Sequence, residues 1–150
     1  MNDKQIIRYI QEGIVIDHLP AGVAWKVAKI LSLDQQKEGR ISLGENHASE
    51  NLQGMKSFIK IEGRSLNLYE MDLIALVAPN ATLNIIRDGV VFEKKQAKLP
   101  EILKGVVKCP NLNCISNQPH ENILSIIYHR EGGFSCHYCG QSFLRQDFKI

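Results

Sequence analysis

Apolar positions in the first hundred residues follow two different periods, and the switches between them mark out the elements. Residues 5–10 are apolar and β-prone, and Gln11-Glu12-Gly13 interrupts them. Ile14-Val15-Ile16 then predicts a buried strand that ends in Asp17-His18-Leu19-Pro20-Ala21-Gly22. Pro20 suits the first turn of a helix. Val23, Val27, Ile30 and Leu31 fall on one helical face, with Lys26 and Lys29 facing out. Trp25 is expected in a core or an interface. Gly39 closes this region, Ile41-Ser42-Leu43 predicts a short strand, and residues 45–54 are polar enough to predict a loop.

Residues 55–62 alternate with period two. Met55, Ser57, Ile59 and Ile61 share one face, and Lys56, Phe58, Lys60 and Glu62 share the other. Asn67 followed by Glu70 has the spacing of a helix N-cap and capping box. Leu73, Leu76 and Val77 continue as an apolar stripe that must stop before Pro79. Residues 81–86 predict a strand, Arg87-Asp88-Gly89 a turn, and Val90-Val91-Phe92 its hairpin partner. The resulting order is β-α-β-β-α-β with one further strand. That is the split βαβ, ferredoxin-like pattern of an α+β domain: an antiparallel sheet with two helices on one face. Its helix-free face calls for a cover, such as another copy of the chain or another domain.

The polar, proline-ended stretch Lys94–Pro100 is the best boundary, dividing the chain into domains 1–99 and 100–150. Past it, residues 123–130 predict a strand, Gly132-Gly133 a turn, and Phe134-Ser135 a return, so the small second domain is all-β.

All four cysteines lie in this second domain, as Cys109-Pro-Asn-Leu-Asn-Cys114 and Cys136-His-Tyr-Cys139. Two short knuckles separated by a hairpin have the arithmetic of a four-cysteine zinc site. Two disulfides are the alternative, with three possible connectivities. A redox dithiol at Cys136 and Cys139 is another, but it leaves Cys109 and Cys114 without a role. The paired spacings and the lack of a secretory signal favour metal. Four thiolates close the shell, so the zinc reads as structural, one per chain, although iron also accepts four thiolates. His120, His129 and His137 then read as surface histidines. About 50 residues build too small a core to fold securely unaided, and a structural zinc contributes roughly 10–16 kcal/mol of apparent binding energy.

Composition changes this picture little. The 150 residues are 44% hydrophobic and 23% charged, with a net charge of +2, ordinary values for a globular protein. No apolar run approaches the ~18 residues of a membrane span. The reduced thiols and the absence of a signal peptide lead us to expect a cytoplasmic protein with no membrane partner. No Walker loop, Gly-x-Gly-x-x-Gly, Gly-x-Ser-x-Gly or His-Glu-x-x-His motif occurs, which points to a non-catalytic chain. Asp17, His18, Lys60 and Lys94 stand at strand ends where a ferredoxin-like sheet can bring them together. Two lysines and a histidine suit a polyphosphate, and an aspartate suits ribose hydroxyls. By pattern alone the lysines read first as solvated surface and Asp17 as a helix cap. Lys94, Lys95, Lys98, Lys104 and Lys108 also admit a nucleic-acid-binding zinc ribbon. Glu93 and Glu101 dilute that run, and no aromatic residues interleave it. A stand-alone ligand sensor is a third option.

Val15-Ile-Asp-His-Leu-Pro20, Ile59-Lys60-Ile61-Glu62, Ala78-Pro-Asn-Ala-Thr82, Cys109-Pro-Asn-Leu-Asn-Cys-Ile-Ser116 and Cys136-x-Tyr-Cys139, in this order and spacing, resemble the regulatory chain of aspartate carbamoyltransferase over nearly the whole length. The resemblance implies a non-catalytic subunit of pyrimidine biosynthesis. Its N-terminal allosteric domain would bind CTP or ATP, sometimes UTP alongside CTP, and pair with a second regulatory chain as a homodimer. Its zinc domain would dock on the catalytic chain, so that regulatory dimers bridge catalytic trimers, with no role for nucleic acid. Carried over by position, Asp17 would meet the ribose with Lys60 beside it, and His18 and Lys94 would face the triphosphate. Ile10 and Ile86 would line the base, Val15 and Val91 would pack around the nucleoside, and Asn84 would lie near the same pocket. Asn111 and Asn113 would contact the catalytic chain, though Asn is also at home in a tight turn. Three positions depart from the family pattern. Gly89 replaces a frequent aromatic, Arg8 replaces an acidic residue, and Gly140 follows the second knuckle where a charged residue can stand.

Overall fold

The computed structural model describes residues 10–37, 39–49 and 54–150. The predicted element at residues 5–10 and the departure at Arg8 therefore lie largely outside the described residues. The chain divides into two compact units, residues 1–97 and 98–150.

The first unit is a five-stranded antiparallel sheet carrying two α-helices, the ferredoxin-like arrangement with an added edge strand. Its strands are β1 (Gly13–Pro20), β2 (Ile41–Ser49), β3 (Gly54–Glu62), β4 (Thr82–Arg87) and β5 (Val90–Gln96), in the order β2-β3-β1-β4-β5. The helices are α1 (Ala24–Ile30) and α2 (Leu68–Val77). Cross-strand partners share a face of a sheet. Ile14 pairs with Ile61 and Ile85, and Ile16 pairs with Ile59 and Leu83. These residues form the helix side of the sheet. Ile16, Ile59 and Ile61 are fully buried there, as are Ala24 and Val27 of α1 and Ile74 and Leu76 of α2.

The capping box at α2 forms: the Asn67 side chain accepts from the Glu70 N–H (2.8 Å), and the Glu70 carboxylate accepts from the Asn67 N–H (3.1 Å). Arg64 then ties the two helices together. One guanidinium nitrogen donates to the Leu31 carbonyl at the end of α1 (2.7 Å), and the other bridges to the Glu70 carboxylate.

Several elements differ from the sequence expectation. Pro20 ends β1 instead of opening α1, and its carbonyl accepts the Val23 N–H. The first available helix donor, the Ala24 N–H, is met by the Glu45 carboxylate reaching over from β2, which also accepts the buried Ser57 hydroxyl. Residues 45–49, expected as loop, continue β2, because backbone pairing of His47, Ala48 and Ser49 with β3 needs no apolar side chain. Trp25 is 67% exposed. It follows the buried Ala24 by one helical position, about 100° around the axis, and so points away from the core.

The second unit is a four-stranded antiparallel sheet in sequential order: β6 (Ile102–Lys104), β7 (Ile126–Arg130), β8 (Gly133–Cys136) and β9 (Ser142–Phe143). The strand expected over 123–130 starts only at Ile126, and β6 and β9 are too short to leave a periodic signal. Leu103 and Ile127 are fully buried, and Phe134 packs edge-on against Phe148 with ring centroids 5.1 Å apart.

Candidate metal centre and ligand face

The four cysteine sulfurs converge to within 4.8 Å of one another. Cys109 and Cys114 come from the loop after β6, Cys136 from the end of β8, and Cys139 from the turn before β9. Cys109 Sγ lies 3.7 Å from Cys139 Sγ, and Cys114 Sγ lies 3.7 Å from Cys136 Sγ. A disulfide needs about 2.05 Å, and all four thiols are free. A tetrahedral ion with metal–sulfur bonds of about 2.3 Å sets its sulfurs about 3.8 Å apart, so the donor set fits a four-thiolate metal.

The first knuckle is braced from within. Asn117 donates to the carbonyls of Cys109 and Asn111 (2.8 Å each), and Asn111 accepts the Asn113 N–H. The second closes through a Gly140 N–H to Cys136 carbonyl bond, with Gly140 in the left-handed region (φ +71°). That conformation accounts for glycine at this departure. Burial pushes the metal-free Cys109 and Cys136 thiols up. Burial also opposes ionisation of Cys114, but hydrogen bonds from the Ser116 hydroxyl and N–H, together with those from Cys136 and Cys109, bring this thiol down to about 7. His137 Nδ1 lies 2.6 Å from the Tyr128 hydroxyl, and His129 stacks on Phe134. Both therefore have partners other than a metal.

In the first unit, the side of the sheet opposite the helices gathers most of the other candidate residues. Register sets Lys60, Val15, Asn84 and Lys94 in one row across β3, β1, β4 and β5. Asp17 pairs with Thr82 two positions along, and Ile86 pairs with Val91 toward the other end. His18 is brought to the same face by a bulge in β1, where it takes a left-handed backbone (φ +59°) that a histidine rarely adopts. Its Nδ1 meets the Thr82 hydroxyl at 3.1 Å, and its N–H donates to the Asp17 carboxylate at 2.8 Å. Asn84 Nδ2 reaches the Val15 carbonyl at 3.5 Å.

Ile10 is buried at the end of the sheet that holds the β4–β5 turn, where the Gln11 carbonyl accepts the Gly89 N–H. Asp88 (φ +52°) and Gly89 (φ +76°) are both left-handed, so a two-residue turn with glycine second replaces the aromatic. The sequence did not single out Lys56, Phe58 or Thr82 as site residues. Lys56 sits 3.5 Å from the Asp17 carboxylate. Its i, i+2, i+4 spacing with Phe58 and Lys60 was the available signal; Thr82 shows only through cross-strand register.

A split βαβ sheet whose helix-free face gathers Lys60, Asn84 and Lys94, followed by a small β domain in which four cysteine sulfurs converge, defines the class: a two-domain chain with a polar row on one unit and a four-cysteine metal site in the other. The family model for the allosteric domain of the aspartate carbamoyltransferase regulatory chain matches residues 5–98, and that for its metal binding domain matches residues 101–149. Regulatory chains of the same description are 47% identical in Caldivirga maquilingensis (90% of this chain, 83% of the relative) and 39% identical in Korarchaeum cryptofilum (98% and 94%). A third, from Natronomonas pharaonis, is 42% identical (93% and 91%). The chain belongs to the aspartate carbamoyltransferase regulatory chain family. Among the described residues no helix is long and apolar enough to cross a membrane.

Proposed function

We propose that the N-terminal domain, 1–99, takes up nucleoside triphosphate effectors of the CTP, ATP and UTP type on its helix-free face, and that the C-terminal domain, 100–150, holds one structural zinc and docks on the catalytic chain of aspartate carbamoyltransferase. The row Lys60–Val15–Asn84–Lys94 carries this reading. It offers ammonium groups at either end, with Asp17 and His18 two and three residues further along β1. His18 and Lys94 would meet the phosphates, and Asp17 and Lys60 the ribose. Ile10, Val15, Ile86 and Val91 would enclose the base and sugar beside Asn84. Asn111 and Asn113 display the first knuckle to the catalytic chain. Paired regulatory chains bridge catalytic trimers in the cytoplasm, and effector binding changes how the zinc domain fits its partner. Such couplings are typically worth about 1–3 kcal/mol.

The test is calorimetric titration of CTP, then ATP, into the metal-loaded chain. Saturable binding weakened by Lys60→Ala and by Lys94→Ala supports the site. Binding that neither substitution alters removes it. Elemental analysis of the purified chain decides between zinc and iron.

A further inference from the structure

Phe58 and Gly44 face each other across the β2–β3 pair. They lie on the helix-free side, two residues from Lys60 along β3. Phe58 is 9% exposed although, among the described residues, no helix covers that side. Its ring packs close against Gly44: a Cβ built there would come within 2.3 Å of the Phe58 ring. The glycine thus leaves the space that the ring fills, and a larger residue at 44 would lift the ring off the sheet. The Lys60 ammonium stands 5.7 Å from the centre of the same ring, inside the range of a cation–π contact. A lysine side chain otherwise samples many rotamers, and ordering it on a ligand costs binding free energy.

We propose that Phe58, seated on Gly44, is a positioning residue that holds Lys60 in place for an anionic nucleotide. This inference rests on the effector face proposed above and adds to it an aromatic residue that acts through Lys60. The contact is intact before ligand arrives, so its benefit is pre-organisation of the ammonium. Removing the ring lets Lys60 wander, and each binding event must gather it again.

The experiment is a double-mutant cycle on the metal-loaded full-length chain, read as the Kd for CTP by calorimetry. Phe58→Leu keeps an apolar side chain on β3 and removes the π face; Phe58→Tyr keeps the π face. An exposed cation–π contact corresponds to about a two- to fivefold weakening. We expect that loss in Phe58→Leu, near-parental affinity in Phe58→Tyr, and no further effect of Phe58→Leu once Lys60→Ala is present. If Phe58→Leu weakens CTP equally in both backgrounds, the ring acts only on the fold and the inference falls. Unchanged or tighter binding in Phe58→Leu also overturns it. Failure of the parent chain to bind CTP overturns the effector face itself, a result distinct from binding without coupling.

Discussion

Removing the metal should unfold the second unit and leave the first standing. Without an ion, residues 98–150 depend on Leu103, Val106, Val107, Ile127, Phe134 and Phe148 for their apolar core. A core of that size supplies at most about 3–5 kcal/mol. Four thiolates 3.7 Å apart across two pairs match a zinc shell whose binding contributes roughly 10–16 kcal/mol. Metal binding therefore outweighs the apolar core, and a chelator takes it away. The two units carry separate spectroscopic signals. Both α-helices among the described residues, and Trp25, lie in the first unit, whereas the packed rings of Phe134, Phe143 and Phe148 lie in the second. Chelation should therefore preserve the helical far-ultraviolet signal and the Trp25 fluorescence. It should abolish the near-ultraviolet signals of the second unit and expose residues 98–150 to protease. Cys114→Ser should reproduce this without chelator. A metal-free chain, verified by elemental analysis, that keeps its aromatic signals and resists protease would refute the reasoning.

Three further outcomes follow from the first unit. Arg64→Met strands the Leu31 carbonyl and leaves the Glu70 carboxylate only its bond from the Asn67 N–H, which should cost about 1–3 kcal/mol, read from the urea midpoint; an unchanged midpoint would show that the tie is idle. Asn67→Ala removes the acceptor at the head of α2 and should cost about 1 kcal/mol, largely restored by Asn67→Ser. Burial raises the Asp72 carboxyl above its ordinary 3.8, so its ionised form is disfavoured by folding. That penalty is present at neutral pH and absent below the unfolded value. Asp72→Asn should accordingly raise the first unit's melting temperature at pH 7 and leave it unchanged at pH 3, and the reverse pattern would contradict the sign.

What the sequence discloses is mostly local chemistry. Asn67 and Glu70 satisfy each other within one turn, Asp88-Gly89 dictates its own hairpin, and two cysteine knuckles announce a metal before any fold is known. Long-range pairing is harder to see. Residues 45–49 look like loop because their polarity hides a strand held by its neighbour's backbone. Trp25 looks like core because its size carries no information about which way α1 rotates. The ligand face lies between these cases. Alternation along β3 shows Lys56, Phe58 and Lys60 together, but the row from Lys60 to Lys94 depends on the register of four strands. The placing of His18 depends on a bulge that nothing in Asp17-His18 announces.

The same alternation divides labour within each strand. In β1, Ile14 and Ile16 are sealed under the helices while Val15 and Asp17 look out the other way, and β3 repeats the division with Ile59 and Ile61 against Lys60. Adjacent letters thus answer to different selective pressures. Substitutions at Val15 and Asp17 can drift with whatever the open face meets, while Ile14 and Ile16 keep the domain folded. A lineage could therefore retune its response to metabolites without first passing through an unstable ancestor.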